Sequence, residues 1–301
     1  MERQIKLNEI SKLLKLEFKG TDSVINGLNL CNRNTNYNSI ISYVTSQNFL
    51  NYATNNKNVK AIFITPKLYD ENKDLFNIPI SFFITDNPEV EFYKLHNALY
   101  EKTDFYNKYD FKTKIGKNSY IHNKAVIEEG VIIGENVIIG ANTVIKKGTV
   151  IENDVVIGCN NVIGGEGLQP IRLDDGNYHL IKHAGGVLLK HNVEIKHCTT
   201  IDNSLFEGNT YLGEYAKIDN LIHVAHNCKI GKNAVITAGC ILCGSSIIED
   251  NAWIGVNSSI LNRVTVGENS LIGIMSAVTR DINKNCTAYG IPAKEKNRDK
   301  Q

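Results

Sequence analysis

A regular spacing of apolar residues dominates the chain from residue 121 onward. Isoleucine, leucine or valine recurs at every sixth position in three blocks, and the intervening residues are mostly small or polar. The apolar positions are Ile121, Ile127, Ile133, Ile139, Ile145, Ile151, Ile157 and Ile163; Leu189, Ile195 and Ile201; and Leu212, Ile218, Val224, Ile230, Ile236, Leu242, Ile248, Ile254, Ile260, Val266, Ile272 and Val278. Neither the 3.6-residue period of a helix nor the two-residue alternation of a strand explains this spacing. The pattern therefore predicts a repetitive structure.

A six-residue period with one apolar residue per period predicts a parallel β-helix. Each period supplies a short strand whose apolar residue points inward, and a Gly or Asn beside it suits the backbone of the corner. Three periods, or about 18 residues, close one triangular coil, and successive coils stack about 4.8 Å apart. Residues that are one coil apart in sequence are therefore expected to lie one above the other.

Two irregularities interrupt the repeat. The step from Ile163 to Leu189 is more than four periods long, which predicts a loop extruded from the coil over residues 164–186. A long loop on a regular solenoid is usually functional. The step from Ile201 to Leu212 falls one position short of two full periods, which predicts a one-residue slip just before the next segment of interest.

The regions on either side of the repeat differ from it in pattern. Residues 1–105 predict a small α/β domain, with helices in LNEISKLLKL and NPEVEFYKLHNALYEK and strands in NSIISYVT and KAIFITP. The second helix is expected to start at Asn87 or Pro88. The β-helix is expected over residues 106–282, and residues 283–301 as a short polar C-terminal cap. The predicted fold class is therefore mainly β, a β-helix preceded by a small α/β domain.

The composition favours a cytoplasmic protein that acts on a small molecule. The 301 residues are 42% hydrophobic and 22% charged, with a net charge of +1 and no basic block interleaved with aromatics, so no nucleic-acid partner is expected. No apolar run reaches the roughly 18 residues of a membrane span, and the N-terminus lacks the pattern of a secretory signal. Cys240 and Cys243 have no second pair to complete a zinc site, so no metal is expected.

Two histidines lie close together in the segment KIDNLIHVAHNCKIGK. Val224 is the inward residue, so His223 and His226 on either side of it are expected to point outward, where most histidines are simple surface or subunit-contact groups. Gly244 stands one coil after His226, and a histidine base beside a backbone N–H is the minimum equipment for acyl transfer. Asp219, on the neighbouring strand, is expected to hold the other imidazole nitrogen.

The segment from HCTTID to ILCGSS, together with the N-terminal domain, resembles the UDP-3-O-acylglucosamine N-acyltransferases of lipid A synthesis. The blocks TTID, KIDN and AHNCKIG carry this resemblance. It implies that His226 is the general base for attack of an amine on an acyl thioester and that Gly244 supplies the oxyanion N–H. It further implies that Asp219 and Asn220 serve the base and the sugar. The resemblance also implies a left-handed β-helix, a nucleotide-binding N-terminal domain, and a homotrimer with sites between adjacent β-helices.

The chain departs from that family at its nucleotide site and at its end. Where the family holds uracil with an Asn and a Tyr, this chain offers Ser46 and Phe49, of which Phe49 could stack on a pyrimidine. A second histidine of the family, which follows the base in sequence, corresponds to Arg263. The C-terminal helical extension that contacts acyl carrier protein in the family is not found in this sequence.

The segment SAVTRDINKNCTAYGIPAK instead resembles the last coil and cap of coenzyme A-dependent nucleotide-amino-sugar N-acetyltransferases. That resemblance makes Arg280 and Lys294, together with Arg263, candidates for binding the cofactor.

The leading prediction is an N-acyltransferase that moves an acetyl or other short acyl group from coenzyme A to the amine of a nucleotide-linked amino sugar for a surface glycan. The alternatives are the lipid A enzyme itself, which uses an acyl carrier protein, and a non-catalytic solenoid that binds a ligand. His223 is predicted to form a wall of the sugar site. His179 and His183, in the extruded loop, rank lower as substrate contacts because loop histidines are usually exposed.

Overall fold

A computed structural model describes residues 3–33, 35–73, 79–173 and 175–297. The chain divides into two compact units. The first comprises Met1–Lys108 and Leu168–Lys182, and the second comprises Tyr109–Gly167 and His183–Gln301. The tip of the extruded loop thus belongs to the first unit, whereas the sequence pattern assigned the whole loop to the β-helix.

The first unit is a small α/β fold around a five-stranded sheet. Its helices are α1 (Leu7–Leu14), α2 (Gln47–Asn55), α3 (Pro66–Glu71) and α4 (Pro88–Lys102), and its strands are β1 (Ile5–Lys6), β2 (Phe18–Lys19), β3 (Val24–Ile25), β4 (Gly27–Leu28), β5 (Ile40–Val44), β6 (Val59–Ile64) and β7 (Ser81–Ile84). The sheet order is β2-β7-β6-β5-β4, in which β4 to β7 pair in parallel and β2 pairs antiparallel. Phe63, Phe83 and Phe92 are fully buried in this unit. The helices and strands that the sequence predicts correspond to α1, β5, β6 and α4.

The loop tip forms a hairpin of β17 (Pro170–Arg172) and β18 (Tyr178–Leu180). The Asn97 side chain on α4 donates to the carbonyl of Leu180 at 3.1 Å and accepts from the N–H of Lys182 at 2.9 Å. These bonds tie the hairpin to α4 within the first unit.

The second unit is a parallel β-helix of three flat sheets, which we call faces A, B and C in the order in which the chain visits them. Face A contains β8 (Lys114–Ile115), β11 (Ile132–Ile133), β14 (Thr149–Ile151), β19 (Gly186–Leu189), β22 (Asn209–Leu212), β25 (Lys229–Ile230), β28 (Ile247–Ile248) and β31 (Thr265–Val266). Face B contains β9 (Tyr120–Ile121), β12 (Ile138–Ile139), β15 (Val156–Ile157), β20 (Glu194–Ile195), β23 (Lys217–Ile218), β26 (Val235–Ile236), β29 (Trp253–Ile254) and β32 (Leu271–Ile272). Face C contains β10 (Val126–Ile127), β13 (Val144–Ile145), β16 (Val162–Gly165), β21 (Thr200–Asp202), β24 (His223–Val224), β27 (Ile241–Leu242), β30 (Ser259–Ile260) and β33 (Ala277–Val278).

The register follows the predicted coil of three periods. Ile127 pairs with Ile145 and Ile236 pairs with Ile254, so each residue lies beside its equivalent in the next coil. The repeating apolar residues point inward and are almost completely buried, except Ile121 and Ile127 in the first coil, which are half-buried. The helix starts one strand before the predicted period, at β8.

The corners explain why asparagine recurs in the repeat. Asn136, Asn142 and Asn251 have φ near +58°, a left-handed conformation that Asn tolerates better than most residues. Glycine serves a different purpose, because Gly134 has no positive φ but a Cβ there would lie 2.8 Å from the backbone nitrogen of Asn153. Gly134 therefore permits close stacking of neighbouring coils.

The two irregularities become insertions at corners. In a regular coil Thr149 would pair with Gly167, but it pairs with Val187. The extruded loop therefore lengthens this coil, as the spacing predicts. Thr200 pairs with His223, where a regular coil would bring it to Ile218, so the second irregularity is a five-residue insertion within one coil. The predicted one-residue slip is therefore wrong. The extra residues form a corner loop after β21 that reaches the site described below.

The C-terminal cap is a hairpin of β34 (Cys286–Gly290) and β35 (Ala293–Asn297). Strand β34 continues face B by pairing in parallel with β32, and β35 pairs antiparallel with β34. The cap thus ends the stacked coils with an antiparallel edge.

Candidate functional site

The site is built around His226, at the corner where the chain passes from face C to face A. Val224 on β24 is fully buried inside the helix, and the half-buried His226 follows two positions later. Asn227, which turns the corner, has φ of +61°. The repeat therefore places the imidazole outside the core, as the sequence predicts.

Asn227 fixes the tautomer of His226. Its Oδ1 accepts a hydrogen bond from the N–H of Leu205 at 3.0 Å, and its Nδ2 donates to Oγ of Ser204. These two bonds set the orientation of the amide, so the atom that lies 3.0 Å from Nδ1 of His226 is an oxygen. Because an amide oxygen only accepts, we assign the proton to Nδ1. The lone pair of the neutral ring is then on Nε2, as a general base requires.

Gly244 lies against the ring of His226. A Cβ at position 244 would be 2.6 Å from Nε2 and 2.7 Å from Cε1 of His226, so only glycine leaves room for the imidazole. The carbonyl of Gly244 accepts from Arg263, and the next N–H, of Ser245, donates to the carbonyl of His226. Within the part of the chain that the structure describes, these ladder bonds leave the N–H of Gly244 unused. The predicted pairing of His226 with Gly244, one coil apart, is thus present.

Asp219 lies at a different corner from His226. It follows β23 on face B, so strand β24 separates the two residues, and its Oδ1 accepts from the backbone and side-chain nitrogens of Asn220 at 2.8 and 2.9 Å. The predicted contact between Asp219 and the imidazole within one chain is therefore corrected, because Asn227 occupies the place beside Nδ1. Any other catalytic role of Asp219 stays a prediction.

Asn220 stabilises the corner at which it lies. Its Oδ1 accepts from the N–H of His197 at 3.0 Å, and its Nδ2 donates to Asp219. The predicted contact with the sugar could use the second hydrogen of this amide or the second lone pair of its oxygen, and it stays a prediction.

His223 points outward from face C and belongs to a polar pair with Asp202. Its Nδ1 lies 2.9 Å from Oγ1 of Thr200, and its Nε2 lies 3.7 Å from Oδ2 of Asp202. Burial raises the pKa of the Asp202 carboxyl to about 6, and the nearby His223 offsets part of that rise. The pair therefore places a carboxyl that titrates near neutrality on the strand beside β24.

His183 is the functional candidate whose burial the sequence did not predict. It is 2% exposed, and its ring lies 5.4 Å from that of His226 between centroids, at an angle of 82°. Burial is the main cause that lowers its pKa, and the neighbouring His226 lowers it further. A Cβ at Gly167 would lie 3.0 Å from Cε1 of His183 and 2.5 Å from Oδ2 of Asp202, so both side chains meet at that glycine. The repeat gave no signal for this contact, because His183 lies in the insertion.

The remaining predicted residues are placed as follows. Ser46 precedes α2 as its N-cap residue and Phe49 lies in its first turn, 37% exposed, both in the first unit. Arg263 stands at the corner equivalent to that of Ser245, one coil later, with φ of +66°, and its N–H donates to the carbonyl of Gly244. Arg280 follows β33 and Lys294 lies on β35 opposite Tyr289, and both are exposed. The binding roles predicted for these residues stay predictions.

No cluster of three or more His, Cys, Asp or Glu residues that could hold a metal ion occurs among the described residues. In the same part of the chain, no helix is both long and apolar enough to cross a membrane.

Comparison with known families matches the repeats. The model described as bacterial transferase hexapeptide (six repeats) matches residues 112–147 and 209–244, and the model described as hexapeptide repeat of succinyl-transferase matches residues 130–165 and 246–274. The matched segments are hexapeptide repeats, and together they cover less than half of the chain. They build faces A, B and C, and the segment 209–244 contains both His226 and Gly244.

Curated relatives match part of this chain. The UDP-3-O-acylglucosamine N-acyltransferase of Campylobacter lari is 44% identical over 77 residues, which are 26% of this chain and 24% of that protein. The protein of the same name from Thermosynechococcus vestitus is 42% identical over 83 residues, 28% of this chain and 24% of that protein. The chain thus matches about a quarter of the length of these relatives, and the predicted resemblance to UDP-3-O-acylglucosamine N-acyltransferases is confirmed over 77 to 83 residues.

Two solved structures superpose on this chain with the same TM-score. The UDP-N-acetylglucosamine acyltransferase from Campylobacter jejuni superposes with a TM-score of 0.53 at 25% identity, over 61% of this chain and 69% of that one. The UDP-N-acetylglucosamine acyltransferase from Bacteroides fragilis gives a TM-score of 0.53 at 26% identity, over 62% of this chain and 70% of that one. With the repeat matches, they confirm the predicted fold class, a left-handed parallel β-helix in a mainly β protein.

Proposed function

We propose that this hexapeptide-repeat protein is an N-acyltransferase that moves an acyl group from a thioester donor to the amine of a nucleotide-linked amino sugar. The observation that carries the proposal is the arrangement of His226: Asn227 holds the proton on Nδ1, and Nε2 lies against Gly244. A base and a backbone N–H at one point of the surface are what aminolysis of a thioester needs.

The reaction would proceed by addition and elimination. The amine nitrogen attacks the thioester carbonyl carbon and forms a C–N bond, while Nε2 of His226 removes a proton from that nitrogen. The N–H of Gly244 stabilises the negative charge on the carbonyl oxygen of the tetrahedral intermediate. The C–S bond then breaks, the thiol leaves with the proton from His226, and the amide product remains. A bound metal is not required for this sequence of steps.

The names of the curated relatives favour UDP-3-O-acylglucosamine as the acceptor. These names support acyl transfer to a lipid A-type acceptor better than they support acetyl transfer from coenzyme A, which the resemblance of the C-terminal segment implies. An acyl carrier protein is then the first donor to test, and coenzyme A thioesters are the second. Within this proposal, the candidates for binding the sugar remain His223 and Asn220, and those for binding the nucleobase remain Ser46 and Phe49. The candidates for binding the acyl donor remain Arg263, Arg280 and Lys294.

The proposal predicts two inactive variants with intact folds. His226→Ala removes the base and is expected to lower kcat by about 10²- to 10⁴-fold. Gly244→Ala is compatible with the backbone, which has no positive φ there, but its Cβ displaces the imidazole and is expected to lower kcat to a similar extent.

The assay measures amide formation with UDP-3-O-acylglucosamine and UDP-glucosamine as acceptors and with hydroxyacyl carrier protein and acetyl-coenzyme A as donors. His122→Leu, in the first coil, serves as a matched histidine control and should retain full activity. Turnover by the His226→Ala protein at the rate of the unchanged protein would contradict the proposal. Failure of every donor and acceptor pair would instead favour a solenoid that only binds its ligand.

A further inference from the structure

The protonation state of His183 follows from its contacts. The Nδ2 of Asn203 donates to the carbonyls of His183 and Gly185 at 3.4 and 3.3 Å, which turns Oδ1 of the same amide toward the His183 ring. Nδ1 of His183 lies 3.1 Å from this Oδ1 and 3.1 Å from the Asn203 carbonyl oxygen. Two oxygens at this distance would repel a lone pair, so we assign the proton to Nδ1; the N–H of Gly167, which lies 3.3 Å from the same nitrogen, would donate to it only in the other tautomer.

The other ring nitrogen of His183 is buried without a partner. Its Nε2 is shielded from solvent and makes no hydrogen bond among the described residues. In the assigned tautomer this atom carries a lone pair and can only accept. Since buried polar atoms are nearly always paired in folded proteins, an unpaired acceptor beside a catalytic site calls for a donor that arrives with the ligand.

His183 and His226 therefore have the same tautomer. In both rings an asparagine oxygen accepts from Nδ1–H, so both Nε2 atoms carry lone pairs, and the two rings are in contact. A nitrogen that donates two hydrogen bonds of about 2.9 Å at a tetrahedral angle joins acceptors about 5 Å apart.

We propose that Nε2 of His183 accepts a hydrogen bond from the reacting amine, so that the His183–His226 pair selects an amine over a hydroxyl acceptor. This inference rests on the proposed function and identifies what makes its acceptor specific. A primary amine whose lone pair points at the carbonyl carbon has two hydrogens, one for each imidazole. A hydroxyl has one hydrogen, and when it donates to His226 the buried Nε2 of His183 stays unpaired, at a cost in affinity of about tenfold.

Burial favours this role because a buried imidazole stays neutral. Its closeness to His226 also disfavours a second positive charge when His226 takes the proton from the amine, as the lowered pKa of His183 reflects. His183 therefore remains an acceptor throughout the reaction, while His226 alone changes its protonation.

Binding of two probes that differ at one atom tests the proposal without turnover. Calorimetry of the full chain with UDP-glucosamine and UDP-glucose, which carry an amine and a hydroxyl at the same carbon, should show about tenfold tighter binding of the amine. His183→Leu should reduce that preference to less than about threefold, His183→Gln, which keeps an acceptor, should retain most of it, and His122→Leu should leave it unchanged. An equal affinity of the unchanged protein for both probes, or an undiminished preference in His183→Leu, overturns the inference.

A second measurement decides the question if the His183→Leu chain does not fold. In ¹⁵N spectra of the unchanged protein, UDP-glucosamine should shift the Nε2 resonances of both His183 and His226, whereas a shift of His226 alone overturns the inference. The outcome is separable from that of the proposed function. An amine preference that depends on His183, without any acyl transfer, would leave this inference standing and refute the enzymatic proposal.

Discussion

At the scale of single residues, the two asparagines Asn203 and Asn227 determine the protonation of the histidines beside them. Each amide is held by a second hydrogen bond to a fixed backbone or side-chain group, so each can present only its oxygen to the imidazole. An imidazole with its proton on Nδ1 has a lone pair on Nε2. The chemistry of the site therefore depends on residues that do not themselves react.

Replacing Asn227 tests this dependence. Asn227→Gly suits the positive φ of the corner but removes the acceptor for Nδ1–H, and we expect kcat to fall by roughly 10- to 100-fold, as for other residues that orient a functional histidine. Asn227→Asp keeps an acceptor oxygen and should retain most of the activity. Asn233→Gly, at the next corner with φ of +54°, is the matched control in the acyl-transfer assay. Full activity of Asn227→Gly would show that the amide does not set the tautomer.

The buried carboxyl of Asp202 is expected to make the stability of the fold depend on pH. Its folded-state pKa of about 6 is above its ordinary value, so the folded chain binds the proton more tightly than the unfolded chain. The carboxyl therefore costs stability progressively as pH rises from about 4 to about 6, and the cost is constant above that range. We expect Asp202→Asn to be more stable than the unchanged protein at pH 8 by an amount on the order of 1–3 kcal/mol, and this advantage to shrink toward pH 4.

Urea unfolding at pH 4, 6 and 8, at one chain concentration, measures this difference. A stability advantage of Asp202→Asn that is the same at all three values would contradict the burial of an ionised carboxylate as its cause.

Part of the site could be predicted because it follows the repeat. His226 and Gly244 occupy the same corner of successive coils, so the step of one coil brings them together in any regular β-helix. The partners of Asn227 and the position of His183 could not be predicted in this way, because Leu205 lies in the five-residue insertion and His183 lies at the end of the long one. Within one chain Asp219 is not the partner of Nδ1, because it lies at the corner after β23 and the whole of β24 on face C separates it from His226.

At the scale of the elements, hydrogen bonds at the corners as well as those between strands connect the successive coils. Strands of two residues contribute few ladder bonds each, and asparagine ladders connect successive coils, as where Nδ2 of Asn233 donates to Oδ1 of Asn251 at 3.3 Å. The sequence predicted the inward positions, since the apolar period is unbroken over whole blocks. Strand β8 lies within the predicted β-helix range of 106–282, and its Ile115, six residues before Ile121, is 54% exposed at the open end of the β-helix.

A corner substitution tests the contribution of backbone conformation to coil stability. Asn251→Val places a β-branched residue at φ of +58° and removes the ladder bond, and we expect it to lower the free energy of unfolding by about 2–4 kcal/mol. Asn251→Gly removes the same bond but tolerates the backbone, so it should cost less than half as much. Chemical denaturation of the two variants measures the difference, and equal losses would assign the effect to the hydrogen bond instead of the conformation.

At the scale of the whole molecule, the outward residues differ between faces. On face B the last coils present Val235, Trp253 and Leu271, and Trp253 is 48% exposed. On face A the corresponding outward position of β25 is the exposed Lys229. An exposed tryptophan flanked by half-buried apolar side chains on a flat sheet is typical of a surface that contacts another copy of the chain. Face B is therefore the surface on which we expect the predicted trimer to form.

Trp253 provides the test because it is the only tryptophan in the sequence. We expect the unchanged chain to have three times its 33.6 kDa mass in light scattering and a tryptophan emission that shifts to longer wavelength on dilution. Trp253→Asp places a charge in that contact and should yield single chains, whereas Lys229→Asp on face A should remain trimeric.

Because the family resemblance places the sites between adjacent β-helices, dissociation by Trp253→Asp should also abolish acyl transfer while His226 and Gly244 stay in place. Single chains that retain full activity would show that one β-helix carries a complete site, and dissociation by Lys229→Asp alone would move the subunit contact to face A.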